Sequence, residues 1–276
     1  MLARHSALQH RANVPESPCI TGRLELKVEI IYGEEDLNPM VEIYEELSKI
    51  SVKNQVLALM SSTYRMLYDA KKLPPLVLIG ADLTRSMLGW DCGGCGFDTC
   101  GKFNAYSRKN RGWGTLSQGP TCQWMALDFG MACDWACAAC HQYNLETRVE
   151  SVGGLIFLMM LGRLEDCSAA VTMPVGPVGD LMYFSRKSAE RLLDYESWRK
   201  VQLRNAAIGF QNFSGYRAPL KTTQKWWEEP PKYIRVTEDP EFEAEKKELF
   251  NNAMKIAEKY KNKYKKKKLL RRNLLA

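Results

Sequence analysis

The sequence predicts a mixed α/β fold of the α+β kind, and three observations carry that expectation. Leu24, Leu26, Val28 and Ile30 alternate with Glu25, Lys27 and Glu29, the period of a strand with one buried face. The apolar run LVLI at 76–79 ends at Gly80 and reads as a short strand buried on both faces. Helically patterned residues fill the interval, so the order is strand, helix, helix, strand. With 276 residues and 45% hydrophobic content, the chain can bury a full core.

Taken in order, residues 1–23, with Pro15 and Pro18, read as an N-terminal arm. Gly33 ends the first strand, and Asn38-Pro39 is read as the N-cap and first residue of a helix through Val41, Tyr44 and Leu47. A second helix is expected over 52–72, stopped by Pro74-Pro75. Beyond a cysteine-rich loop at 91–100, Gly119-Pro120-Thr121 precedes a long helix to about Tyr143. A helix over 150–161 and a strand over 169–175 follow. The main domain is expected to span 24–187, with 188–276 as a C-terminal extension. That extension reads as a helix to about Asn205, an irregular Gly, Pro and Trp segment, and a final helix from Asp239-Pro240. The last helix starts acidic and ends basic, matching its macrodipole. Its stripe of Phe242, Leu249, Phe250, Ala253, Ile256, Ala257 and Tyr260 needs a covering surface, on the body or on another chain, as in a homo-oligomer.

The formal charge of +7 is a local property. From 255 to 276, ten Lys and Arg face Glu258 alone, so this tail carries +9 and the preceding residues −2. Only Tyr260 and Tyr264 interleave with those lysines, which argues against nucleic acid as the partner. Leu269, Leu270, Leu274 and Leu275 beside the charge would suit peripheral membrane contact; an acidic redox partner and a solvated end are the other readings. Arg4, His5, His10 and Arg11 break up the first residues, so no secretory signal is expected. The longest apolar run, 155–161, falls far short of the roughly 20 residues of a membrane span. A cytoplasmic protein is therefore expected, in which nine cysteines would be mostly reduced and available for metal binding, catalysis or burial.

The segment DCGGCGFDTC, with Cys122 after a Gly-Pro turn, spells C-x2-C-x4-C-x21-C through Cys92, Cys95, Cys100 and Cys122. Gly93, Gly94 and Gly96 supply the left-handed backbone positions and open N–H groups that a loop wrapped around sulfur atoms requires. Cys122 should sit at a helix N-terminus, where the dipole favours a thiolate. Zinc sites of four cysteines usually use two C-x2-C knuckles, and only one is present here; a 4Fe-4S cluster accepts one knuckle and two dispersed ligands. Spacing favours the cluster, with zinc and unligated thiols left open.

These same residues carry a resemblance. CGGCGFDTCGKFNAYSRKNRG and GPTC are similar to the 4Fe-4S module of the corrinoid iron-sulfur protein and of the B subunit of the Rnf electron-transport complex. Over 24–187, LVLIG, GPTCQWMALDFGMA and AAVTMPVGPVGDLMYFSRK resemble a family of ferredoxin-domain-containing proteins of anaerobic bacteria and archaea, domain of unknown function 2148. The resemblance implies that Cys92, Cys95, Cys100 and Cys122 are ligands of one 4Fe-4S cluster, and it leaves the reaction unnamed.

Cys133, Cys137 and Cys140 depart from that pattern, which has small apolar residues in this helix. They superficially spell the radical S-adenosylmethionine motif C-x3-C-x2-C, but Ala139 replaces its usual aromatic residue, the surroundings are helical, and too little chain follows for a barrel. A second metal site, completed by Cys19 or Cys167, must contend with about 10.5 Å between Cys133 and Cys140 along a straight helix. Burial of cysteine in place of alanine is the favoured reading. His141 is read as a capping or surface residue, Trp226-Trp227 as a partner-clasping arm or body packing. Asp128, Asp134 and Glu146 are too scattered for paired acid–base work, and no phosphate loop, Ser-His-Asp order or HExxH occurs.

The expected function is single-electron transfer by one 4Fe-4S cluster, as an auxiliary or subunit of a larger anaerobic oxidoreductase, with the C-terminal extension as docking element. The alternatives are a reductase whose substrate binds beside the cluster or in a pocket under the 170s loop, MPVGPVGD, and a zinc-binding interaction module.

Overall fold

A computed structural model describes residues 21, 23–50, 55–114, 117–177 and 240–274. In it a four-stranded antiparallel sheet separates two helical layers, so the class is mixed α+β, as the patterning predicts. Its strands are β1 (Leu26–Ile31), β2 (Leu76–Ala81), β6 (Ala169–Pro177) and β5 (Leu145–Thr147), in that spatial order. β2 is buried along its whole length because it is interior to the sheet and covered on both faces. Leu76 and Leu78 enter one core with Ile31, while Val77, Ile79 and Ala81 enter the other with Leu26 and Val28.

The first core is closed by α1 (Glu34–Ile50), α2 (Gln55–Asp69), α5 (Ser151–Leu155) with the π-helical turn Ile156–Met160 that continues it, and α6 (Pro240–Leu274). The second is closed by α3 (Cys100–Asn110) and α4 (Gln123–Gln142). A two-stranded hairpin, β3 (Gly112–Trp113) with β4 (Gln118–Gly119), links α3 to the turn before α4. Among the described residues no helix is long and apolar enough to cross a membrane.

Two expectations are corrected, and one that was left open between two readings is decided. Helix α1 starts at Glu34, a turn before Asn38-Pro39, because Gly33 (φ +85°) turns the chain and its carbonyl accepts from Asp36 and Leu37. Pro39 therefore lies inside the helix, where its ring nitrogen has no hydrogen to donate to the preceding turn. The MPVGP part of the proposed pocket-covering segment is strand β6, paired to β2 and β5, so it covers no pocket as a loop. The apolar stripe of α6 finds its partner on the body: Ile256, Ala257 and Tyr260 are buried against α1 and the π-helical turn. Tyr260 donates to Glu46 at 2.8 Å, Tyr264 donates to Asp36 at 2.8 Å, and Lys259 pairs with Glu46 at 2.5 Å. The predicted helix over 188–205, Trp226-Trp227, Cys19 and the end of the family-like segment at 178–187 lie outside the described residues, as does the Phe242 side chain.

The close approach of α5 to β6 explains the mid-helix pair Gly153-Gly154. A Cβ on Gly154 would overlap the Ala170 carbonyl, and one on Gly153 would overlap the Thr172 hydroxyl. Glycine is the only residue whose absent side chain permits that crossing.

Candidate metal centre

The chain leaves β2 at Ala81 and turns at Asp82, whose Oδ1 accepts from the Thr84 N–H and hydroxyl. The stretch that follows runs over the second helical layer to the cysteine loop. In that loop Gly89 (φ +65°), Asp91 (φ +49°), Gly93 (φ +73°) and Gly96 (φ +84°) adopt left-handed conformations, and Gly96 N–H donates to Gly93 C=O at 2.9 Å. Asp91 is the non-glycine member, and its carboxylate accepts from the Cys100 N–H at 2.7 Å. That bond satisfies one of the free donors at the start of α3, while Thr99 caps the same helix by accepting from Lys102 N–H at 3.1 Å. Cys100 is thus the first residue of one helix, and Cys122 is the N-cap of another, α4. Both positive helix ends lie at thiol positions.

Cys122 comes from 22 residues further along the chain and is brought to the loop by the sheet. Its N–H donates to Leu83 C=O at 2.8 Å, and Leu83 N–H in turn donates to Ser168 Oγ at 2.7 Å just before β6. The result is a hollow lined by Cys92, Cys95, Cys100 and Cys122 together with Ser86, Leu88, Phe97 and Trp124. All four cysteines of the sequence pattern line it. Cys92 is exposed, Cys95 and Cys100 are half-buried and Cys122 is buried, so the ring is open on one side. Among the described residues no three His, Cys, Asp or Glu converge tightly enough to hold a single metal ion; these thiols surround a space.

Among the described residues two side chains donate hydrogen bonds to the sulfur atoms. Ser86 Oγ donates to Cys100 Sγ at 3.3 Å, and Trp124 Nε1 donates to Cys92 Sγ at 3.1 Å. Ser86 is itself clamped by Asn104, which accepts from its N–H at 2.8 Å and donates to its carbonyl at 2.9 Å. The Ser86 hydroxyl holds the Cys100 pKa below the ordinary thiol value against the opposing effect of burial, with help from backbone N–H groups of Asp91, Trp90 and Gly89. That environment favours the charged form of Cys100 relative to an ordinary thiol.

The remaining described thiols have the opposite environment. Burial pushes Cys133 up to about 12, Cys137 to about 11 and Cys167 to about 12, and raises Cys140 as well. Cys133 and Cys140 lie in the core beside α4 with Cys137 packed against it, whereas Cys167 belongs to the core on the other face of the sheet. The structure does not bring Cys167 to the three helical thiols. His141 is exposed at the end of α4, and Asp128 is buried, accepting from the Thr21 N–H at 3.0 Å and from its hydroxyl. Ser86, Asn104 and Trp124 are the site residues that spacing alone missed. Only Trp124, two residues after Cys122, had any positional signal.

The chain is similar to a protein of Archaeoglobus fulgidus described as uncharacterized, with 28% identity over 157 residues, covering 56% of this chain and 81% of that one. No family model and no solved structure matches the chain.

Proposed function

We propose that Cys92, Cys95, Cys100 and Cys122 hold one 4Fe-4S cluster and that the protein carries single electrons to or from a redox partner, as an auxiliary or subunit of a larger oxidoreductase. The observation that carries this reading is that these four thiols, drawn from a loop and two helix N-termini, line one hollow. The donor set fits the group: four cysteines, glycine-rich backbone beside them and N–H and O–H donors aimed at sulfur. When bound, such a cluster supplies reversible one-electron storage. The resemblance to ferredoxin-domain proteins points the same way.

The chain's own contribution is to position and to shield. Leu88 and Phe97 line the apolar wall of the hollow; the exposed edge at Cys92, beside Trp90, is where a partner's redox group approaches. Helix α6 packs on the opposite face of the sheet, so partner contact through its basic end would not itself bring that partner to the thiols.

Iron, zinc and acid-labile sulfide per chain, measured after anaerobic purification, test the proposal. About four iron and four sulfide are expected. Zinc without sulfide would replace electron transfer by a structural zinc module, and about eight of each would add a second cluster. Cys95→Ser and Cys122→Ser should each lower the iron content at least severalfold, while Cys137→Ser should leave it unchanged.

A further inference from the structure

We infer that Ser86 and Trp124 set the reduction potential of the centre, acting as hydrogen-bond donors to two different cysteine ligands and raising the potential; this rests on the cluster reading above. The two contacts are independent in the chain. Ser86 precedes the loop and donates to Cys100 Sγ at 3.3 Å; Trp124 lies in the first turn of α4 and donates to Cys92 Sγ at 3.1 Å. Each also sits on a rigid support. Ser86 is held front and back by Asn104, which stands one helical turn after Cys100 on α3, so ligand and donor are fixed by the same helix. The Trp124 ring is held edge-to-face by Trp90, with centroids 6.0 Å apart.

The physical reason is charge. Uptake of one electron increases the negative charge shared by the cysteine sulfurs, and a donor pointed at sulfur stabilises the reduced form more than the oxidised one. Removing a donor therefore shifts the potential downward. Opening the same space to water works in the opposite direction, because water stabilises the more highly charged reduced form. The sign of the shift thus separates loss of a hydrogen bond from loss of packing. Asn104 is a positioning residue in this scheme, since it touches Ser86 rather than a ligand.

The experiment is a redox titration, read by electron paramagnetic resonance, of the anaerobically purified full-length protein and its Ser86→Ala, Ser86→Thr, Trp124→Phe and Asn104→Ala variants, with iron and sulfide determined for each. Ser86→Ala and Trp124→Phe should each weaken reduction by about tenfold in equilibrium constant, about 59 mV for one electron. Ser86→Thr, which keeps the hydroxyl, should stay near the wild type. Asn104→Ala should shift in the same direction by a smaller factor, and it becomes the deciding variant if both donor-less proteins lose their iron. Loaded variants with an unchanged or raised potential overturn the inference and leave the cluster reading standing. Wild-type protein without iron and sulfide overturns both.

Discussion

Glu150 shows how one carboxyl is governed by its surroundings. It is buried as the N-cap of α5, accepts from Tyr64 OH at 2.6 Å, and has Arg148 3.8 Å from Oε1. Burial outweighs both partners and pushes its pKa up to about 7. Because the folded value lies above the unfolded one, this group's contribution to stability is fully present below about pH 4.5 and is lost as pH rises through about 7. Glu150→Gln keeps an oxygen for Tyr64 without the charge. Its stability relative to wild type should improve between pH 5 and pH 8 by at most about 3 kcal/mol. Urea midpoints of both proteins at the two pH values decide it, and parallel pH profiles would count against the assignment. Cys100 and Cys133 make the corresponding contrast among thiols: a hydroxyl donor and loop N–H groups lower one, and an apolar core raises the other.

At the scale of elements, glycine in a helix has opposite meanings at two places. Gly154 in α5 meets the β6 backbone, so Gly154→Ala must push the helix off the sheet and should cost about 3 kcal/mol or more. Gly130 in α4 has open space around its missing Cβ, and Gly130→Ala should stabilise the fold by about 0.5–1 kcal/mol through helix propensity. Thermal denaturation of the two variants should move the midpoint in opposite directions. Equal shifts would mean that the α5–β6 crossing is looser than described. Helix α4 also explains how its thiols divide: Cys122 at the N-cap lines the hollow, while Cys133 and Cys140, about three and five turns further on, turn into the core and Cys137 packs against it.

For the whole molecule, the sheet is a partition. The four thiols of the hollow, α3 and α4 occupy one side; Cys167, α1, α2, α5 and α6 occupy the other. Helix α6 contributes Ile256, Ala257 and Tyr260 to the core, so it belongs to the folded body over that stretch. Deleting 240–276 should uncover α1 and the π-helical turn and lower the thermal midpoint by several degrees or more. A truncated protein as stable as the intact one would restore the view of α6 as a detachable docking element.

The strands β1 and β2, the long helix α4 and the four-cysteine pattern were legible because each depends on local periodicity or spacing: alternation of apolar residues, an unbroken helical run, a glycine-rich loop. Helix α3 was not legible, since its first turn is the end of the cysteine loop and its capping depends on Thr99 and on Asp91 nine residues before Cys100. The start of α1 was misplaced because Asn-Pro is a strong local signal that Gly33 overrides. Sequence by itself determined which thiols belong to the candidate centre and which kind of loop presents them. Tertiary structure alone decided that Leu83 carries Cys122 to that loop, that Ser86 and Trp124 face its sulfurs, and that α6 covers the far side of the sheet. These last are contacts between segments distant in the chain, set by the pairing of β2 with β6 and the packing of helices on either face.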